Sequence, residues 1–236
     1  MTGQLPLDLG RRTALGREDF LVGAANRDAV AWIDLWPDWP APGLVIYGPA
    51  GCGKSHLAEL WRLRSDAVCL TAGQVDGATV EGFARQQRSV VVEDIDRPGA
   101  KGLDLRALLH LHNLIAERGG HLLVTTRVAP VRLDIELADL RSRIMALPAV
   151  AVGPPDEELI GVVLVKQFAD RQLRVAPEVV TYIVPRLERS FAAVGRVVQA
   201  LDTAALANRR NITVALARDA LRGEGLDGWL ASESDG

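Results

Sequence analysis

Only two cysteines occur among the 236 residues, Cys52 and Cys69, too few for a disulfide framework. Cys52 sits inside a glycine-rich turn that a disulfide would distort, so both read as reduced and the compartment as cytoplasmic. Long apolar runs are missing too. The N-terminus, M-T-G-Q-L-P-L-D-L-G-R-R, has no stretch of signal-peptide length, and no later run reaches the roughly 18 apolar residues of a membrane span. Leu159 to Val165 comes nearest, and Lys166 closes it. An excess of positive charge is also absent: 27 Lys and Arg against 30 Asp and Glu leave a net charge of −3, which argues against a dedicated nucleic-acid binder. No basic or aromatic stripe suits single-stranded DNA. What is there, 48% hydrophobic and 24% charged residues, is ordinary for a globular chain with one large domain or a main domain and a satellite.

The organising stretch runs from Gly43 to Leu57, G-L-V-I-Y-G-P-A-G-C-G-K-S-H-L. An apolar run, Leu44 to Tyr47, enters a turn of three glycines, and Lys54-Ser55 opens a segment with helical spacing. Gly48-x-x-x-x-Gly53-Lys54-Ser55 fits the phosphate-loop (Walker A) pattern in its required context, strand before and helix after. Glycines let consecutive backbone N–H groups turn inward around an anion at the positive end of a helix. The loop residues Gly48, Pro49, Gly51, Cys52, Gly53, Lys54, Ser55 and His56 are the expected cradle. Lys54 would reach the outer phosphates and the Ser55 hydroxyl would hold Mg²⁺.

The rest of the chain alternates around this turn. Residues 1–16 have no helical or strand period and read as a flexible arm; within it Gln4-Leu5-Pro6-Leu7-Asp8-Leu9 would, if extended, put Leu5, Leu7 and Leu9 on one side, ready for an apolar groove. A helix over Ala24 to Ile33 is broken by Trp36 to Pro42. Strands are expected at Leu44 to Tyr47, Ala67 to Leu70, Ser89 to Glu93 and Leu122 to Thr126, with helices over Val75 to Arg85 and Leu103 to Glu117. This alternation gives an α/β domain over 17–153, a parallel sheet sandwiched by helices with ligands at the carboxyl ends of the strands. Past Pro154-Pro155 only helical periods remain: Leu159 to Gln172, Pro177 to Leu187, Phe191 to Arg209 and Val214 to Arg222. They read as a small all-helical lid over 154–222, followed by a frayed tail over 223–236.

A phosphate loop needs acidic residues on a neighbouring strand, and Val90-Val91-Val92-Glu93-Asp94 supplies Glu93 and Asp94 as Mg²⁺ holders. Glu93 stands where aspartate is commoner, and Asp94 where a water-activating glutamate is commoner. Thr125-Thr126 ends the following strand, where Thr126 would position water or contact a phosphate. Asp139 to Ile144 is read as a helix end one strand further on. Its arginines either interact with the helix dipole or project into a neighbouring subunit's nucleotide.

The run Phe20-Leu21-Val22-Gly23-Ala24-Ala25-Asn26-Arg27, the phosphate loop with its Gly53-Lys54-Ser55-His56-Leu57, Glu93-Asp94-Ile95, and Leu140-Arg141-Ser142-Arg143 together resemble the AAA+ module of the DnaA/Hda family of bacterial replication proteins. The similarity spans about residues 18 to 222. It implies ATP or ADP between the α/β domain and the lid, with Phe20, Val22 and Asn26 near the base. Arg143 takes the family's arginine-finger position. A lid arginine facing the phosphates is also usual, and the count lands on Gly195, with Arg196 adjacent.

Two departures from the initiator itself carry further expectations. The chain stops soon after its lid rather than continuing into a helix-turn-helix domain, and its arm resembles the peptide by which proteins dock on the sliding clamp, the β subunit of DNA polymerase III. Within the family this implies a clamp-tethered regulator held by Gln4, Leu5, Leu7 and Leu9. It would promote hydrolysis of DnaA-bound ATP through Arg143 and prevent re-initiation, with weak or no ATPase activity of its own. Its partners would be DnaA and the clamp, with DNA reached only through the clamp and no membrane; a homodimer stays open. A self-sufficient AAA+ ATPase such as a helicase loader is the alternative, and a small-molecule kinase fits the separate lid poorly.

Overall fold

The computed structural model describes residues 21–84, 89–96, 103–208 and 212–223. The N-terminal arm with Gln4, Leu5, Leu7 and Leu9, together with Phe20, lies outside them. Five parallel strands form one sheet in the order β2-β3-β4-β1-β5, with β1 Gly43–Tyr47, β2 Val68–Thr71, β3 Ser89–Glu93, β4 His121–Thr126 and β5 Ala149–Ala151. Helices α1 Arg27–Leu35, α2 Lys54–Ser65, α3 Gly77–Ala84, α4 Leu105–Glu117 and α5 Ala138–Ala146 cover it.

Strand side chains alternate between two buried faces, as a parallel sheet covered on both sides requires. Leu44, Ile46, Val91 and Leu123 pack with Ala29 and Ile33 of α1 and with Leu57, Leu60 and Trp61 of α2. Their neighbours Val45, Val90, Val92, Leu122 and Val124 face the other way, onto Leu108, Leu111 and Ile115 of α4 and Leu140 and Ile144 of α5. A large aliphatic side chain buried in this way contributes on the order of 1.5–3 kcal/mol. The Trp36–Pro42 segment ends α1 by folding over α2: the Trp39 and Trp61 rings stack at 5.3 Å, and the Trp39 indole donates to the Trp32 carbonyl at 2.7 Å.

The expected strand at Ser89 to Glu93 forms as read, while the second strand starts and ends one residue later than its reading. β5 was not anticipated: three residues with only the middle one buried carry too little pattern. Arg143 lies in the last turn of α5, which is the crossover between β4 and β5 and not a helix beyond a further strand.

The remaining helices, α6 Glu157–Asp170, α7 Pro177–Ile183, α8 Phe191–Asn208 and α9 Val214–Gly223, build a separate core around Leu164, Phe168, Ile183, Val194, Val197 and Leu201. Asp156 caps α6, its carboxylate accepting from the Leu159 N–H at 2.8 Å. No helix among the described residues is long and apolar enough to cross a membrane.

Candidate phosphate-binding site

β1, between β4 and the edge strand β5, delivers the chain into the loop. Its register pairs Tyr47 with Thr126 of β4, and the Gly48 N–H donates to the Thr126 carbonyl at 3.1 Å, so the loop begins where β4 ends. Gly51 and Gly53 adopt φ of +74° and +105°, values that suit glycine. A Cβ on Gly53 would stand 3.0 Å from the Phe191 ring, and one on Gly51 2.9 Å from Ser190. The Phe191 N–H also donates to the Gly51 carbonyl at 2.8 Å. The start of α8 is thus packed and hydrogen-bonded onto the loop.

Lys54 opens α2 and is buried, and its ammonium donates to the Gly48 and Pro49 carbonyls at 2.8 and 3.0 Å. Two of its three donors hold the loop's shape; the third can serve an anion. The Cys52 thiol is buried within the turn, and burial raises its pKa while the Lys54 charge opposes the rise. Buried and largely protonated, it fills space in the loop.

A cavity of about 1280 Å³ lies over the loop, between the α/β domain and the helical domain. Of the expected residues, Gly51, Cys52, Gly53, Lys54, Ser55, His56, Asp94 and Asn26 line it, whereas Gly48, Pro49, Val22, Glu93, Thr126, Arg143 and Arg196 do not. Asn26 lines it while holding its own turn: its amide donates to the Leu21 carbonyl at 3.0 Å and accepts from the Gly23 N–H at 2.9 Å. Val22 packs against the core beneath.

Glu93 and Asp94 part company at the end of β3. Asp94 turns into the left-handed region at φ 52°, its N–H held by the Thr125 hydroxyl at 2.9 Å. Glu93 instead meets β2, where the Cys69 thiol donates to its carboxylate at 3.8 Å and the other carboxylate oxygen is buried with no partner among the described residues. Thr126 is fully buried, its hydroxyl donating to the Val128 carbonyl at 2.7 Å. Among the described residues no group of three or more His, Cys, Asp or Glu could hold a metal ion alone. A cation here would rest on Ser55, Asp94 and the oxygens of its own ligand.

On the helical side, Leu159 and Val163 of α6 and Phe191 of α8 give the cavity an apolar wall, and Lys166 and Asp170 a charged one. Those two are ion-paired at 2.9 Å. Gly195 has open space where a Cβ would stand, and Arg196 is ion-paired with Glu188 at 3.4 Å. Arg127, which the sequence reading passed over, lines the cavity from the end of β4. The donor set fits a phosphate chain: a helix N-terminus behind a glycine turn, a buried ammonium, a hydroxyl and a carboxylate for a divalent ion, and an apolar slot beside them.

Residues 156–221 match the family model described as the Hda lid domain. The chain is 27% identical over 227 residues to the chromosomal replication initiator protein DnaA of Thermomicrobium roseum, covering 87% of this chain and 49% of that protein. In structure it resembles domain III of the Thermotoga maritima DnaA, with a TM-score of 0.77 at 18% identity over 89% of this chain and 95% of that one. The chain is thus similar to AAA+ proteins of the DnaA/Hda family, in its lid by the family model and over most of its length by sequence and fold. The parallel sheet followed by a helical lid is the fold shared with domain III of that DnaA, and the chain spans about half the length of the curated relative, 49%. The AMPPCP-bound DnaA of Aquifex aeolicus has the same fold, with a TM-score of 0.66 at 16% identity over 87% of this chain and 68% of that one.

Proposed function

We propose that this chain is a DnaA/Hda-family regulator of bacterial replication initiation that binds adenine nucleotide and acts on a neighbouring DnaA subunit. The observation that carries the reading is the placement of Arg143. It is exposed on α5, away from the chain's own cavity, and its guanidinium makes no hydrogen bond or ion pair among the described residues. A permanently charged, planar group in that position cannot serve the nucleotide beside Lys54 but can serve one on a second subunit. The match of 156–221 to the Hda lid domain supports the regulator over the initiator.

In this reading Gln4, Leu5, Leu7 and Leu9 hold the chain on the DNA-loaded clamp, which places it in the cytoplasm at the nucleoid. The loop amides and Lys54 hold ATP or ADP, Ser55 and Asp94 face its Mg²⁺, and the apolar slot with Leu159 and Val163 takes the base. Bound nucleotide supplies the charge that draws the α/β domain and lid together. Arg143 packs against DnaA and stabilises charge that develops as DnaA cleaves its own ATP. An arginine supplied in this way is worth roughly 10³–10⁵ in rate, about 4–7 kcal/mol of barrier. The carboxylate of Glu93, tied to β2, explains weak hydrolysis in this chain itself.

Single-turnover hydrolysis of ATP pre-bound to DnaA, with DNA-loaded clamp, tests this. The native chain is expected to accelerate decay, Arg143→Ala to lose roughly all of that acceleration, and the double change Gln4→Ala/Leu5→Ala to lose it only where the clamp is required. If DnaA-bound ATP decays at its unassisted rate in every sample, the reading fails. A chain that then hydrolyses ATP alone would be a self-sufficient ATPase.

A further inference from the structure

We propose that the helical domain carries a contact for the phosphate backbone of duplex DNA, built from Arg186, Arg218 and Arg222 around Tyr182. The proposal goes beyond the regulator reading and rests on it in one respect, the DNA-loaded clamp as the source of the DNA.

The first observation is that the site assembles only in the fold. Val175 bridges Ile212 in parallel, and α7 and α9 run on from that bridge packed together. This brings Tyr182 and Arg218, 36 residues apart in sequence, within hydrogen-bond reach, the Arg218 Nε donating to the Tyr182 hydroxyl at 3.4 Å. Arg186, in the short turn after α7, places its guanidinium 4.2 Å from the centre of the Tyr182 ring and donates to the Tyr182 carbonyl at 3.0 Å. The Arg218 guanidinium stands 5.9 Å from the same ring. Arg222 is exposed one turn further along the same face of α9.

The second is charge. One aromatic ring gathers two cations that would otherwise repel each other. Among the described residues neither guanidinium meets a carboxylate, nor does that of Arg222, although Glu178 and Asp219 lie on the same two helices. Other cations of the helical domain are matched: Arg189 with Glu157, Arg196 with Glu188 and Lys166 with Asp170. Three arginines without a counter-ion thus share one surface of a chain whose net charge is −3.

The third is the chemistry that fits them. A planar guanidinium held against a ring keeps its fork for a phosphate and loses little freedom on binding it. A duplex presents about one charge per 1.7 Å of axis, a continuous anion that can meet all three arginines at any point along its length. None of these residues lines the nucleotide cavity, so both sites can be filled together. Three phosphate contacts alone are few, and a dissociation constant weaker than about 10⁻⁴ M at physiological salt is expected, in keeping with the acidic balance of the whole chain. Tethering to a clamp on DNA brings the local concentration of the duplex to about the millimolar range, enough to fill such a site.

Fluorescence anisotropy of a labelled duplex with the full chain, from about 50 to 200 mM salt and without clamp or DnaA, tests this. The native chain is expected to bind with a log–log salt slope of about −2.7, whatever the sequence of the duplex. Arg186→Ala, Arg218→Ala and Arg222→Ala should each weaken binding and reduce the slope by about 1, and Arg186→Lys should keep most of it. Arg62→Ala, the same loss of charge on α2, should change neither, and a urea midpoint shows that each variant is folded. No binding by the native chain at about 50 mM salt, or an equal loss in Arg62→Ala, would overturn the proposal. So would arginine-dependent sedimentation with phosphatidylglycerol vesicles in place of duplex binding. Failure here leaves the regulator reading standing, since clamp and DnaA are absent from the assay. A chain that binds duplex through these arginines but is not recruited by the DNA-loaded clamp keeps this site and loses the clamp reading.

Discussion

At the scale of single residues, the chemistry of Cys69 and Glu93 shows how a conspicuous sequence position can be diverted. Cys69 is exposed on β2, but its sulfur leans on the Glu93 carboxylate, and burial of the thiol, followed by the Glu93 charge, pushes its pKa up to about 11. At pH 8 about one thiol in a thousand is then ionised, and it is the thiolate that reacts. Alkylation by iodoacetamide, mapped by peptide mass, should be far slower at Cys69 than for an ordinary thiol, and Glu93→Gln should speed it by removing the charge and the bond. Labelling of Cys69 at the free-thiol rate would show that Glu93 faces the cavity after all. The acidic pair was legible in the sequence from its strand, but the split between Glu93 and Asp94 was not. It depends on a left-handed turn at Asp94 and on the register that lays Cys69 diagonally across from Glu93. Arg127 was missed for a related reason: a single arginine after a strand has no motif, and only its place beside the phosphate loop, one residue after the Thr126 carbonyl that accepts from Gly48, brings it to the cavity.

At the scale of elements, the glycine loop and α2 were readable because chemistry restricts both. The phosphate loop needs φ values that other residues adopt at a cost of order 1–3 kcal/mol, so its glycines stand out. Gly53→Ala is expected to lower the stability by about that amount and to cut nucleotide affinity at least about tenfold, because a Cβ there must push either the loop or the Phe191 ring. Paired urea denaturation and fluorescent-nucleotide titrations check it; affinity kept at the native level would mean that the loop tolerates the shift. The strands of the sheet interior were legible from unbroken apolar runs, Val90-Val91-Val92 above all, because both of their faces are buried. β5 was not, because an edge strand of three residues shows one buried side chain and two exposed ones. The lid helices were read to within a few residues, and their ends were set by Asp156 at the start of α6 and by the turn that leads out of α7.

For the molecule as a whole, two histidines tie stability to acidity. His112 on α4 is buried and His121 opens β4 between the Trp36 and Trp39 rings. Burial lowers the pKa of both; at His112 a bond to Asn113 opposes this and the Arg143 charge adds to it. In the unfolded chain both take up a proton near the ordinary value of about 6.5. The unfolded state then binds more protons, so their contribution to stability is present above that value and is lost as the pH falls below it toward the folded-state values. The urea midpoint is expected to drop between pH 7.5 and 5.5, and His121→Phe to flatten that slope. An unchanged slope in the variant would mean that His121 protonates in place.

Among the described residues, the lid is tied to the rest of the molecule at two places of different kinds. One is covalent, at Gly153-Pro154-Pro155, where the Gly153 N–H is held by the Ala25 carbonyl at 3.0 Å. The other is the hydrogen bond from Phe191 to Gly51 inside the phosphate loop. Two fixed points define an axis, as two hinges do for a door. While both hold, a turn of the lid about the line that joins them leaves Gly51 in place, and a motion away from that line has to drag Gly51 with it. The peptide that cradles the ligand is in this way also a pivot, and a change in what the loop holds becomes a change in how far the lid can turn.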